Sequence, residues 1–524
     1  VSERAALLAA ICAHPDDDTL RLVYADWLDE HGDGKRAAAI RAAVAHHRLS
    51  TADTVAAVVS DFLRSRLPWP IDFDGTLSAR RAAARIGWAA VDADLGACRA
   101  ADRPSRWPRR PSWALHLILK GEGVPRVPRV TFHSRGRGFF DTADIDDAHS
   151  FLAHADAIFR AAPITRLWFR SLTAEQAARF VAAGHLARVR ELTVTNIVEP
   201  GALRILGTHR DAAGVRKLEL HASGYFEWNS LGAIAAGTQW TGLEDLDVSG
   251  IKQHHYQTDE GAIDGQLADL LARPQFRALR RLNASASRVG DRAVRAIARN
   301  LPELRFLELA GNPISARGWS ALAASKSLSH LRHLDLGSYG FNEAAGDAAP
   351  FIAGMNVPNL AVLHLGGGND LSGTNPKVLA RSGRGPGLRV LDLGITNLTA
   401  ESIAALAACP AVRGVWYLSL RGIALSNETF GDESLERFLA RTAFERLTYL
   451  DLSNNALTAR GAKTLALWPG AANLQCLGLR GNVVGAAGAA ALAGSPYLKN
   501  LKAITASGRG VAILTKRFKK GFVP

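Results

Sequence analysis

The chain has 524 residues, a formal net charge of +14, 48% hydrophobic and 21% charged residues, and four cysteines. That length exceeds what one compact core ordinarily supports; an elongated repeat array escapes the limit, because each unit buries its apolar face against its neighbours. No 18-residue apolar run is present, which excludes a helical membrane span, and Cys12, Cys98, Cys409 and Cys476 form neither a CxxC pair nor a disulfide framework, which suits a reducing, cytoplasmic setting.

In chain order, the opening "AALLAAICA" is short, Glu3 offsets Arg4, and the large Ile11 precedes Cys12, so no secretory or lipid-anchored leader is expected. Residues 3–31 read as two helices. In the second, Leu20, Val23, Tyr24, Trp27 and Leu28 recur at helical spacing as an apolar stripe, with Asp16 to Asp18 at its start and Gly32 at its stop. The three aspartates have no second ligand cluster beside them, which favours capping over metal binding. The string "LRLVYADWLDEHGD" resembles the bacterial repeat-companion domain, a short module found ahead of repeat arrays, over roughly residues 3–45. That resemblance carries no established activity, so it implies no catalytic residue here, and it makes a bacterial cytoplasm the expected home.

A further helix is expected through Val55, Val58, Val59, Phe62 and Leu63, and residues 68–137 match no known pattern. The positive charge is local. Residues 99–137 hold ten Lys or Arg against two acids, and residues 499–524 hold seven against none. In the first run Arg103, Arg106, Arg109 and Arg110 with Trp107 and Trp113 suit phosphate contact and base stacking, but no RNP, KH, finger or helix-turn-helix signature accompanies them. A counter-charge for an acidic surface explains the run equally well. The segment "RGRGFFDTADIDDAHSFLAHADAIFRAAPITRLWF" resembles the lead-in that caps a first repeat.

From residue 164 one pattern returns thirteen times: Leu-x-x-Leu-x-Leu, as in "LRFLELAGN", "LRHLDLGS", "LRVLDLGIT", "LTYLDLSNN" and "LQCLGLRGN". The central residue falls at 167, 192, 218, 246, 282, 307, 334, 363, 391, 418, 450, 477 and 501, with long steps that place insertions near 252–266 and 423–436. Between copies lie helix-like stretches such as "LTAEQAARFVAAG", where Thr173 and Gln176 have capping-box form. The array resembles the leucine-rich repeat family, in its ribonuclease-inhibitor-like subclass. The resemblance implies an α/β solenoid with parallel strands on the concave face and helices on the convex face, behind a small N-terminal helical module. It also implies that Asn312, Asn455 and Asn482 bond backbone groups at the turn leaving each strand. The expected domains are 1–48 helical module, 49–160 basic connector and cap, 161–510 solenoid of about 13 repeats, and 511–524 basic tail.

In x-Leu-x-Leu-x the leucines point inward and the x residues outward. The central x reads Trp168, Thr193, Glu219, Asp247, Asn283, Glu308, Asp335, His364, Asp392, Ser419, Asp451, Gly478 and Lys502, six of them acidic. Such a ladder either keeps a wide parallel sheet soluble or creates a field that orients a basic partner. Trp168, flanked by Arg166 and Arg170, is a candidate anchor; packing beneath the N-terminal region is its alternative. No P-loop, nucleophile elbow, HExxH or zinc pattern occurs; "GGGNDLSG" directly follows a repeat strand, and His254, His255, Asp259 and Glu260 share a polar insertion.

The expected function is non-catalytic protein binding through the strand face. Trp168, Glu219, Asp247, Glu308, Asp335, His364, Asp392 and Asp451 would meet a protein with a basic surface, without metal, cofactor or membrane. The alternatives are nucleic-acid binding by 99–137 and a GTPase-activating or other enzyme-regulatory role, which rests on fold analogy alone.

Overall fold

The computed structural model describes residues 2–51, 127–133, 139–221, 230–251, 262–337, 357–367, 388–398, 402–403, 406–407, 412–425, 428–441, 444–508, 510–518 and 522–523. The chain forms two compact units, the first ending at Asp247 and the second beginning at Val248.

The first unit opens with helices α1 (Glu3–Ala13), α2 (Asp18–Glu30) and α3 (Gly34–Thr51), the last beyond the two that the sequence suggested. Asp17 is the N-cap of α2, its carboxylate accepting from the Thr19 amide at 2.8 Å, and Gly32 stops the helix with a left-handed φ of 83°. Ile11, Tyr24, Ala25, Leu28, Ala37, Ile40 and Phe139 make one core. The apolar stripe of α2 is therefore rotated from expectation. Val23 is exposed, whereas Arg21 is buried, because its guanidinium donates to the carbonyls of Asp17 and Pro15 at 3.0 and 2.8 Å and lies over the Phe139 ring.

Next come β1 (Val130–His133), β2 (Thr142–Ile145), helix α4 (Ala148–Ala161), β3 (Arg166–Leu172), β4 (Glu191–Val198), β5 (Lys217–Leu220) and β6 (Asp245–Asp247). β1 pairs antiparallel with β2, and β2 to β6 pair parallel in sequence order. The cap strand β2 joins the repeats in register, Ala143 beside Leu167 and Asp144 beside Trp168. The capping box is present: Thr173 Oγ1 accepts from the Gln176 amide while Gln176 Oε1 accepts from the Thr173 amide.

In the second unit β7 (Arg281–Asn283), β8 (Phe306–Glu308), β9 (His333–Asp335), β10 (Val362–His364), β11 (Val390–Asp392) and β12 (Tyr417–Ser419) run parallel. The insertion near 423 contains a two-stranded antiparallel ladder, β13 (Ala424–Leu425) with β14 (Glu428–Thr429). The parallel sheet continues through β15 (Tyr449–Asp451), β16 (Cys476–Gly478), β17 (Ala503–Thr505) and β18 (Phe522–Val523). In the last repeat Leu477 pairs with Ile504, not with the register of Leu501, so the central outward residue is Thr505 in place of Lys502. A second apolar residue three positions on satisfies the same inward slot. The basic end includes helix Val511–Phe518.

Three backbone devices repeat. The fourth residue after the central leucine turns left-handed: Gly250, Gly311, Gly367, Gly422 and Gly481 have positive φ there, and so do Ala286, Ile395 and Asn454. The asparagines act as expected. Asn312 donates to the carbonyls of Ala284 and Leu309 and accepts from the amides of Ser287 and Val289, while Asn455 and Asn482 bridge repeats in the same way. Helix-starting acids cap their neighbours: Asp264 accepts from the amides of Gly290, Arg292 and Ala293, and Asp432 from those of Thr458 and Gly461. Leu218, Leu246, Leu282, Leu307, Leu334 and Leu450 are buried to within 1%, each contributing about 1.5–3 kcal/mol.

Candidate functional site

In the first unit the strand register places Asp144, Trp168, Thr193, Glu219 and Asp247 in one outward row, one residue per strand. Parallel strands about 4.8 Å apart make this a row of roughly 19 Å. Trp168 is 37% exposed, so it is a surface residue and not packing beneath the N-terminal helices. Thr193 Oγ1 donates to Glu219 Oε2 at 2.7 Å, and Lys217 Nζ lies 2.6 Å from Glu219 Oε1.

Beside it runs a second outward row, Arg166, Glu191, Lys217 and Asp245, whose charges alternate across the strands. Arg166 pairs with Glu191 at 2.8 Å and with Asp141 at 2.9 Å, and Lys217 reaches Asp245 at 3.7 Å. Arg170, on the other side of Trp168, pairs with Asp146 at 3.3 Å. Burial pushes the Glu219 carboxyl up, but the Lys217 ammonium and the hydrogen bonds from Lys217 and Thr193 outweigh it and hold the group below its ordinary value. Burial likewise pulls the Lys217 ammonium down, and the charges of Asp245 and Glu219 raise it overall. A groove of about 590 Å³ is bounded by Asp16 and Arg21 of the helical module and by this charged row. Arg190 and Asp16 meet across it at 3.0 Å. With signs alternating along its wall, the groove favours neither an anion nor a cation.

The second unit departs from the expectation of an exposed acidic ladder. Asp335, His364 and Asp392 are buried, with Ser419 beside them. The His364 ring lies between the two carboxylates, Nδ1 2.7 Å from Asp335 Oδ1 and Nε2 3.4 Å from Asp392 Oδ2. Asp335 and Asp392 also accept from the amides of Gly337 and Gly394, two residues on, and Asp451 accepts from Ser453 in the same way. These aspartates close Asx turns at the strand ends. Glu308 and Asp451 remain partly exposed.

Where the adjacent outward row of the first unit alternates Arg, Glu, Lys and Asp, that of the second begins Arg281, Phe306 and His333 and continues as Val362, Val390, Tyr417, Tyr449 and Cys476, with Tyr417 stacked on Tyr449 at 4.6 Å. Burial pushes the Cys476 thiol up to about 12. The basic residues Arg103, Arg106, Trp107, Arg109, Arg110 and Trp113 lie outside the described residues, as do His254, His255, Asp259 and Glu260.

Each unit has the architecture of leucine-rich repeats, parallel strands with inward leucines, and in the second unit asparagines bridge successive repeats. Residues 447–466 and 470–493 match the family model described as Leucine Rich repeat. Among solved structures, the chain is similar to an internalin (inlF) from Listeria monocytogenes strain 4b F2365, with 17% identity, a TM-score of 0.32, and 69% of this chain and 81% of that chain covered. It is also similar to a chain of the yeast Rad7 and Elc1 complex, with 16% identity, a TM-score of 0.39, and coverage of 66% and 79%. No curated protein matches the chain by sequence. Among the described residues no helix is long and apolar enough to cross a membrane.

Proposed function

We propose that this protein is a non-catalytic scaffold that binds a protein partner on the outward strand face of its first unit. The observation that carries the reading is the row Trp168, Thr193, Glu219 and Asp247, which combines an exposed indole with two partly exposed carboxylates on a rigid sheet. An indole held among charged neighbours supplies contact area at small entropic cost, and carboxylates in fixed positions select a partner with a basic surface. Of the acids in the original ladder, Glu219 and Asp247 carry this role. Asp335 and Asp392 serve the fold, being buried against His364.

The test is capture from bacterial lysate, with and without nuclease, comparing the unchanged protein with a Trp168→Ala/Asp247→Lys variant whose circular dichroism matches it. A protein retained by the first and weakened at least about tenfold in the second is expected. Equal capture by both, abolished by nuclease, would move the binding site to the arginine-rich segment.

A further inference from the structure

A cluster in the first unit has chemistry beyond partner docking. Glu219 on β5 and Asp247 on β6 are register partners, and His221, two residues past Glu219, returns to the same side of the chain. One carboxylate oxygen of each acid and one imidazole nitrogen all lie within 4.8 Å of one another, and all three residues are partly exposed. We propose that Glu219, His221 and Asp247 bind a divalent first-row transition ion, of the zinc, cobalt or manganese kind.

Three features support this. The donor set is mixed: two hard oxygens with one imidazole nitrogen suit these ions, whereas calcium and magnesium prefer oxygen alone. The glutamate is already oriented, since Thr193 Oγ1 holds Oε2 at 2.7 Å and Lys217 holds Oε1 at 2.6 Å. Each carboxylate oxygen has two acceptor positions, so these contacts aim the group and leave it able to ligate, as outer-shell partners do at metal centres. Partial exposure gives the ion a path in and room for water ligands.

The experiment titrates the full, untagged chain with Co²⁺, reading visible absorption, and with Zn²⁺, reading heat. The unchanged protein is expected to take one ion with cobalt bands of a nitrogen- and oxygen-ligated site. Thr193→Val should weaken binding about tenfold, and His221→Ala should weaken it further. A His254→Ala/His255→Ala variant should bind as the unchanged chain does. Asp247→Asn serves in place of His221→Ala if circular dichroism shows the latter unfolded. Unaltered stoichiometry and affinity in His221→Ala or Asp247→Asn, loss confined to the His254/His255 variant, or no binding to the unchanged chain would each overturn the assignment.

Discussion

The strand faces of the two units use one repeat spelling for opposite purposes. In the first, Glu219 and Asp247 are partly exposed beside Lys217 and Asp245, and Lys217 pairs with both Glu219 and Asp245. In the second, Asp335 and Asp392 are buried, with His333 and Val390 on their own strands and the His364 imidazole between them. A residue's place in the repeat sets which way it points but not whether it meets water: Asp392, with Val390 on its strand, is buried, whereas Asp451, with Tyr449 on its strand, stays partly exposed.

The largest expected effect tests that contrast directly. Asp335→Lys would remove the acceptor of the Gly337 amide and put an ammonium against a buried imidazole, so the second unit should fail to fold, as read by circular dichroism. Asp247→Lys in the first unit should fold normally. Equal tolerance of both would remove the distinction. Next, His364→Ala should cost about 3 kcal/mol in urea unfolding, because it takes the imidazole from two buried carboxylates. Glu219→Gln, at a partly exposed pair, should cost under about 1 kcal/mol.

A smaller effect follows from pH. The folded state holds Glu219 below its ordinary value, so the stabilisation is present above the unfolded pKa and is lost as pH falls through the folded one. The difference in unfolding midpoint between the unchanged chain and Glu219→Gln should shrink as pH is lowered through that range. A difference that grows on acidification would contradict the Lys217 pairing. Ile395 gives a prediction of opposite sign: it is 45% exposed and holds a φ of 57°, a conformation poor for a β-branched residue. Ile395→Gly should raise stability, by up to about 1 kcal/mol after the entropic cost of glycine. The smallest effect is chemical. With its thiol pushed up to about 12 and buried, Cys476 should resist alkylation at pH 8 in the native protein and react once unfolded, as peptide mass spectrometry would show.

Much of the fold was legible because its signals are local and repeated. The leucine spacing marks the strands, Thr173 and Gln176 mark a helix start, and Asn312, Asn455 and Asn482 mark the turns, where each side chain bonds the same backbone groups. The misread positions were those with competing local solutions. Leu501 and Ile504 both offer an apolar residue to the last repeat, and only pairing with Leu477 chooses between them. In α2, Val23 satisfies the helical stripe, yet the buried Arg21 takes the inner position because nearby carbonyls can satisfy it.

The candidate site was legible only as a list. Trp168, Glu219 and Asp247 could be named from the central column, but His221 could not, since nothing in its local sequence shows that it returns beside an acid on the next strand. The periodicity, the inward leucines and the outward direction of the acids follow from the order of residues alone, because strand alternation and turn chemistry act over a few residues. Which acids meet solvent, which meet His364, and which meet Lys217 and His221 is set by packing between strands. Burial and electrostatic pairing depend on side chains brought together across strands some 25 to 30 residues apart in the chain.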